Sequence, residues 1–199
     1  AVAYSVGAND KSEFNRVGQV DKKTLDIRLY DVGVPLGTGV VWLAPSAVKG
    51  GTFEDEGGTN QEYDTASGFA AGFFHYANLG PDNINRVSFQ YGRGTGSDFS
   101  PNIQAPTGSL QDSWQFRATE TLVLQLGGQF SGMGTAIYQV KDNGAEENPK
   151  LTWISGGLRP IYQFTPHFSL AFEGGADHVN SEADATSDTL YKFTLAPQI

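Results

Sequence analysis

The residues best suited to chemistry in this sequence are arginines that recur in segments of alternating polar and apolar side chains. They are Arg28, Arg86, Arg117 and Arg159. A guanidinium group presents a planar fork of N–H donors, so a row of them can hydrogen-bond the oxygens of a hydroxyl-rich ligand. The alternative is that they balance carboxylates such as Asp26 and Glu173 and only set the local electrostatic field. The donor role is predicted first for Arg86 and Arg159, and then for Arg28 and Arg117.

Two tryptophans, Trp42 and Trp153, lie on the same side as the arginines if successive side chains of these segments point to opposite faces, as they do in a β-strand. A flat apolar ring can pack on the C–H face of a cyclic ligand. The alternative, which we favour, is the belt of aromatic residues near the strand ends of membrane barrels. Phe73, Phe74 and Tyr76 fall on both parities, so the sequence predicts no role for them.

No arrangement typical of catalysis is present. The chain has no cysteine, and its three histidines lack the spacing of metal ligands. There is no GxSxG motif, and GRGTG at 92–96 lacks the strand-to-helix context of a phosphate loop. Glu54, Asp55 and Glu56 could offer oxygens to calcium, but without EF-hand spacing a solvated loop is favoured. We predict no enzyme activity, no cofactor and no metal. The net charge of −9 argues against a nucleic-acid partner.

The elements that must position these residues are β-strands, because polar and apolar side chains alternate with period two. The clearest segments are 24–31, 84–91, 113–119, 153–164 and 190–196. About ten strands are predicted, near the length that a tilted strand needs to cross a bilayer. One face collects apolar side chains, which would contact lipid in a barrel or form the core of a soluble sandwich. They are Leu25, Ile27, Leu29, Val87, Phe89, Phe116, Leu124, Leu170, Phe172 and Phe193.

Two hairpins are predicted from matching patterns, with turns at 119–121 and 165–167. In the second, Tyr162 would pair with Leu170, Phe164 with Phe168, and Arg159 with Glu173. Further short connections are predicted near 33–37 and 80–82. Long polar connections are predicted at 49–67, 92–111, 131–150 and 177–188. Short turns at one end and long loops at the other are typical of outer-membrane barrels. No apolar run reaches the length of a membrane-spanning helix, and no signal peptide is recognisable.

Four stretches of the chain resemble the maltoporin and sucrose-porin family of carbohydrate porins. They are TLDIRLYDVGVPLGTGVVWLA at 24–44, NINRVSFQYGR at 83–93, GGLRPIYQFTPHFSLAFEGG at 156–175 and LYKFTLAPQ at 190–198. The resemblance implies an antiparallel transmembrane β-barrel of about 18 strands, of which residues 1–199 would be an internal portion lacking the first and last strands. It also implies a homotrimer in the outer membrane of a Gram-negative bacterium.

The family stacks glucose units on a slide of aromatic side chains, and one slide position aligns with Ile84, which is aliphatic here. The resemblance places most of the slide aromatics, and the loop that folds inward to narrow the pore, outside this chain. It implies passive, facilitated diffusion of maltodextrin-type or sucrose-type oligosaccharides, with the long loops as candidate sites for phage attachment. The alternatives are a soluble or surface all-β carbohydrate-binding module, a non-specific porin, or a barrel enzyme, which would need a nucleophile–base pair.

Overall fold

The computed structural model describes residues 2–8, 22–54, 60–99, 110–144, 150–182 and 185–199, and most of them form antiparallel β-strands. The main sheet consists of β1 (Val2–Ala8), β2 (Lys22–Val34), β3 (Gly37–Val48), β6 (Ala66–Asn78), β7 (Ile84–Arg93), β8 (Trp114–Gln125), β9 (Phe130–Asp142), β10 (Lys150–Thr165), β11 (Phe168–Ser181) and β12 (Thr186–Gln198). Between β3 and β6, the short strands β4 (Gly51–Glu54) and β5 (Asn60–Tyr63) form a separate hairpin. One turn of 3-10 helix, Gly94–Gly96, follows β7.

The ten strands of the main sheet lie side by side in chain order, and every neighbouring pair is antiparallel. Short turns join β2 to β3, β6 to β7, β8 to β9 and β10 to β11 at one end of the sheet. At the opposite end longer connections follow β3, β7 and β9, whereas the connection from β11 to β12 is also short. Within the described residues the sheet is open, with β1 and β12 at its edges. In that same part of the chain, no helix has the length and apolar character to cross a membrane.

Each of the alternating segments found in the sequence is part of a strand, which confirms the all-β fold. The predicted turn at 119–121 is wrong, because these residues continue β8. Cross-strand hydrogen bonds stabilise it there: the Ser88 and Thr119 hydroxyl oxygens are 2.7 Å apart, and Asn85 donates to Glu120 at 2.8 Å. The real turn follows Gln125, where Gly127 takes a φ of 95° that suits glycine.

Two of the predicted long connections are also wrong. Most of 131–150 is strand β9, and most of 177–188 belongs to β11 and β12. Glycine and polar residues interrupt the alternation in both places, yet residues 131–142, 177–181 and 186–188 pair with neighbouring strands. Counting alternate polar and apolar residues misses such strands, because the backbone hydrogen bonds between neighbouring strands do not require large side chains.

The turn at 165–167 is confirmed, and so is the pairing of Tyr162 with Leu170. Leu158 pairs with Gly174 and Ile161 with Ala171, and this register places Arg159 beside Glu173 as predicted. The pairing of Phe164 with Phe168 is wrong by one residue, because a register shift places Thr165 opposite Phe168. The two phenyl rings nevertheless stack with centroids 5.5 Å apart.

The register divides the side chains into two faces. The polar face carries Asp26, Arg28, Gln90, Gln115, Gln139 and Asp177, among others, while the apolar face carries all ten of the predicted apolar residues. The described residues contain almost no buried core, since most of their buried apolar side chains are alanines. Large apolar side chains are instead exposed, with Phe89 at 49% and Phe172 at 44%. The sheet is therefore a single layer whose apolar face needs an apolar environment.

Candidate functional site

The candidate site begins with an ion pair on β2 and a tryptophan on β3. Arg28 donates to both carboxylate oxygens of Asp26, at 2.8 Å from Nε and 3.0 Å from Nη2. Trp42 pairs with Arg28 across the strands, and its Nε1 donates to Asp26 at 3.2 Å. Trp42 lies in the middle of β3 on the polar face, whereas the favoured interpretation, a belt residue, required a position near a strand end.

A second arginine occupies the centre of the polar face. Arg117 is half-buried, and its Nε donates to the Gln90 side-chain oxygen at 3.1 Å. Its guanidinium carbon lies 5.0 Å from the ring centroid of Phe99. Farther along β8, Gln115 donates to Gln139 at 3.1 Å. The side-chain amides and the guanidinium thus form a row of hydrogen-bonding groups across β7, β8 and β9.

Towards the short-turn end, Arg86 lies beside an aromatic ring. Arg86 pairs with Tyr76 across β6 and β7, with its guanidinium carbon 5.8 Å from the ring centroid. Ile84 and Tyr76 line one cleft with Arg86. Arg86 and Arg117 line an adjoining cleft that also contains Phe74. The aliphatic Ile84 therefore has an aromatic neighbour on the polar face.

A third group lies on β10, β11 and β12. Trp153 Nε1 donates to Asp177 at 3.1 Å, and Lys192 donates to Glu173 at 3.2 Å. Arg159 lines a groove with Glu173, Asp177 and Lys192, above a floor formed by paired glycines of β10 and β11. This group is separated from the other predicted residues by β9.

The connection after β7 folds across the polar face. Thr95 is fully buried, and its hydroxyl donates to the Ser46 carbonyl oxygen at 2.9 Å. Lys22, 2% exposed, pairs with Asp98 at 3.4 Å. A Cβ added at Gly96 would lie 2.2 Å from the Phe69 backbone, so only glycine allows this approach. We call residues 94–99 the inward segment. The expectation that the family's pore-narrowing loop lies outside this chain stays a prediction, because the sheet is open within the described residues.

All of the predicted lining residues, from Arg28 to Arg159, share the polar face. The sequence analysis missed Phe74, Tyr76 and Phe99. Phe74 and Tyr76 pair with polar-face residues of β7, while Phe73 pairs with Phe89 on the apolar face. Their run contains aromatics of both parities, so only the strand register resolves them. Phe99 lies outside any strand, where alternation carries no signal.

A comparison with known families places the chain. The LamB porin family model matches residues 1–199. This chain belongs to the LamB porin family. LamB porins are β-barrel channels of the Gram-negative outer membrane that bind oligosaccharides in the channel, and they are not a family of enzymes. The resemblance seen in the sequence is confirmed.

Membership in the LamB porin family favours a barrel over a soluble module. Among the described residues of this LamB porin, no group of three or more histidine, cysteine, aspartate or glutamate side chains could hold a metal ion. The acidic loop considered for calcium lies partly outside the described residues, since these exclude 55–59.

Proposed function

We propose that this LamB porin conducts oligosaccharides by facilitated diffusion, with the polar face lining the channel and the apolar face in contact with lipid. The observation that carries this proposal is the separation of side chains across the ten strands. Arginines, amides and carboxylates share one face, and the large exposed apolar side chains share the other. Transmembrane barrels have this separation, with a polar interior and an apolar outer band.

The arginines would form a track for sugar hydroxyls. Each of three arginines is held by a neighbour on the wall. Arg86 lies beside the Tyr76 ring, Arg117 donates to Gln90, and Arg28 donates to Asp26. Positioning by the protein reduces the entropy that a side chain loses when a ligand binds. Each contact must still be weak, because a solute that crosses a channel has to leave every site it occupies.

The open edges of the sheet support the proposal that residues 1–199 are one portion of a larger barrel. Within the described residues, the outer edges of β1 and β12 lack a neighbouring strand, and unpaired backbone N–H and C=O groups there would be costly in lipid, which supports coverage by further strands. We include the homotrimeric state in the proposal, together with lipid contact and the long loops as candidate phage-attachment sites.

Planar-bilayer conductance tests the proposal, using the protein as isolated from its outer membrane and titrating maltodextrins and sucrose. We expect stepwise channels of three conducting units that one sugar class blocks at micromolar to millimolar concentrations. Absence of channels would contradict the proposal. Channels that no sugar blocks would support the second candidate, a non-specific porin, which the aliphatic Ile84 at a slide position favours.

A further inference from the structure

We propose that Trp42, Phe74 and Phe99 form a separate binding site for a pyranose ring, which we call the aromatic corner. The inference rests on the proposed function, because it assumes that the polar face lines a sugar channel. It goes beyond the arginine track, since Phe74 and Phe99 have no predicted role and Phe99 comes from the inward segment.

Trp42 forms the floor of the aromatic corner. A Cβ added at Gly72, opposite Trp42, would lie 3.1 Å from Trp42 Cε3 and 3.3 Å from Phe74 Cε2. Both rings therefore approach the bare backbone of Gly72. At the other end of the indole, Nε1 is held by Asp26, which Arg28 holds in turn. The indole is thus fixed along the wall, between β2 and β6.

Phe99 forms the side of the aromatic corner. Its ring lies 6.4 Å from Trp42 between centroids, at 62° to the indole plane. Phe74 approaches Trp42 at the same distance from another direction, at 51°. Phe99 keeps this place because the inward segment is anchored by the buried Thr95 and by the Lys22–Asp98 pair. The three rings are consequently tilted against one another and do not form a flat stack.

Polar groups flank the three rings on two sides. Arg28 and Asp26 lie at the Nε1 edge of Trp42, and Arg117 lies over the ring of Phe99. A pyranose combines apolar C–H faces with hydroxyl groups around its rim. Its C–H face would contact the rings, while its hydroxyls would accept from the guanidinium groups and donate to the carboxylate. A hydrocarbon ligand could contact the rings but would form no hydrogen bonds with Arg28, Asp26 or Arg117.

Sugar block and tryptophan fluorescence of the full-length protein test the aromatic corner. For Phe99→Leu and Trp42→Phe, we expect the half-blocking concentration of maltohexaose or sucrose to rise about tenfold, which corresponds to about 1.4 kcal/mol. The matched control is Phe89→Leu, which alters the apolar face and should leave the block unchanged. Phe99→Leu lies outside the strands, so the barrel wall stays intact.

Fluorescence gives a second readout. In a Trp153→Phe background, which removes the other tryptophan of the polar face, a sugar-dependent change in emission should be lost in Trp42→Phe and retained in Trp114→Phe, because Trp114 belongs to the apolar face. Native channels blocked by sugar, with block and emission unchanged in Phe99→Leu and Trp42→Phe, would overturn the aromatic corner alone. Native channels that no sugar blocks would overturn the proposed function, and with it the sugar ligand of the corner.

Discussion

At the scale of single residues, the polar face consists of side chains that hold one another in place. Asp26 orients both Arg28 and Trp42, and Gln90 orients Arg117. Arg159, like Arg28, has a carboxylate neighbour, with Glu173 opposite it and Lys192 paired to that glutamate. Both readings of the arginines therefore apply at Arg159: it can donate to a sugar, and it can balance a carboxylate.

Replacing Arg159 separates these two roles. We expect Arg159→Ala to raise the half-blocking sugar concentration roughly tenfold or more, because a hydrogen bond from a charged donor contributes about 1.5–3 kcal/mol. Trimer assembly should be unchanged when it is followed by gel mobility without heating. Arg159→Lys is the matched control, since it keeps the charge and removes the planar fork. Full recovery in Arg159→Lys would mean that the planar fork is not required, and unchanged block in Arg159→Ala would remove Arg159 from the track.

At the scale of elements, the inward segment depends on glycines where it meets the wall. Gly68, Gly92 and Gly96 lie so close to backbone atoms that a Cβ at any of them would come within 2.2 Å of its neighbour. The segment therefore rests directly on β6 and β7, and its side chains Thr95 and Asp98 reach β3 and β2. Close backbone contact holds the segment against the wall, where it would narrow the proposed channel.

Adding a single methyl group at Gly96 should displace the inward segment from the sheet. We expect Gly96→Ala to displace residues 94–99 from β6, to increase single-channel conductance, and to cost about 1–3 kcal/mol of local stability. Gly128→Ala is the control, because a Cβ in that turn would meet no atom within 4 Å. Conductance equal to that of the native channel would mean that the segment does not narrow the path.

At the scale of the whole molecule, the sheet is stable only if its two faces meet different environments. Its apolar face has no second layer among the described residues, and Phe89 and Phe172 are about half exposed there. A soluble sandwich would bury such residues in a shared core. A barrel wall instead leaves them outward, where lipid replaces the missing layer.

A charge placed on each face in turn tests this orientation. We expect Phe89→Asp to lower the free energy of barrel unfolding by roughly 2 kcal/mol near mid-membrane, because it exposes a carboxylate to lipid. Thr121→Asp on the polar face is the control, since Arg86 lies opposite it and the new carboxylate stays in water. The measurement is urea unfolding in vesicles. Equal effects of the two substitutions would contradict the assignment of the faces.

Alternation alone predicts the all-β class, most of the strands and both faces, because the pleat makes side-chain direction a strict function of position. It therefore places Arg28, Arg86, Arg117 and Arg159 on one face. It fails at 119–121 and over β9, where polar or small residues hide strands that backbone pairing stabilises. Only tertiary structure decides which strands are neighbours, and so which ring meets which arginine. The meeting of Trp42 with Phe99 depends on Lys22, Thr95 and Asp98, contacts between distant parts of the chain that no local pattern records.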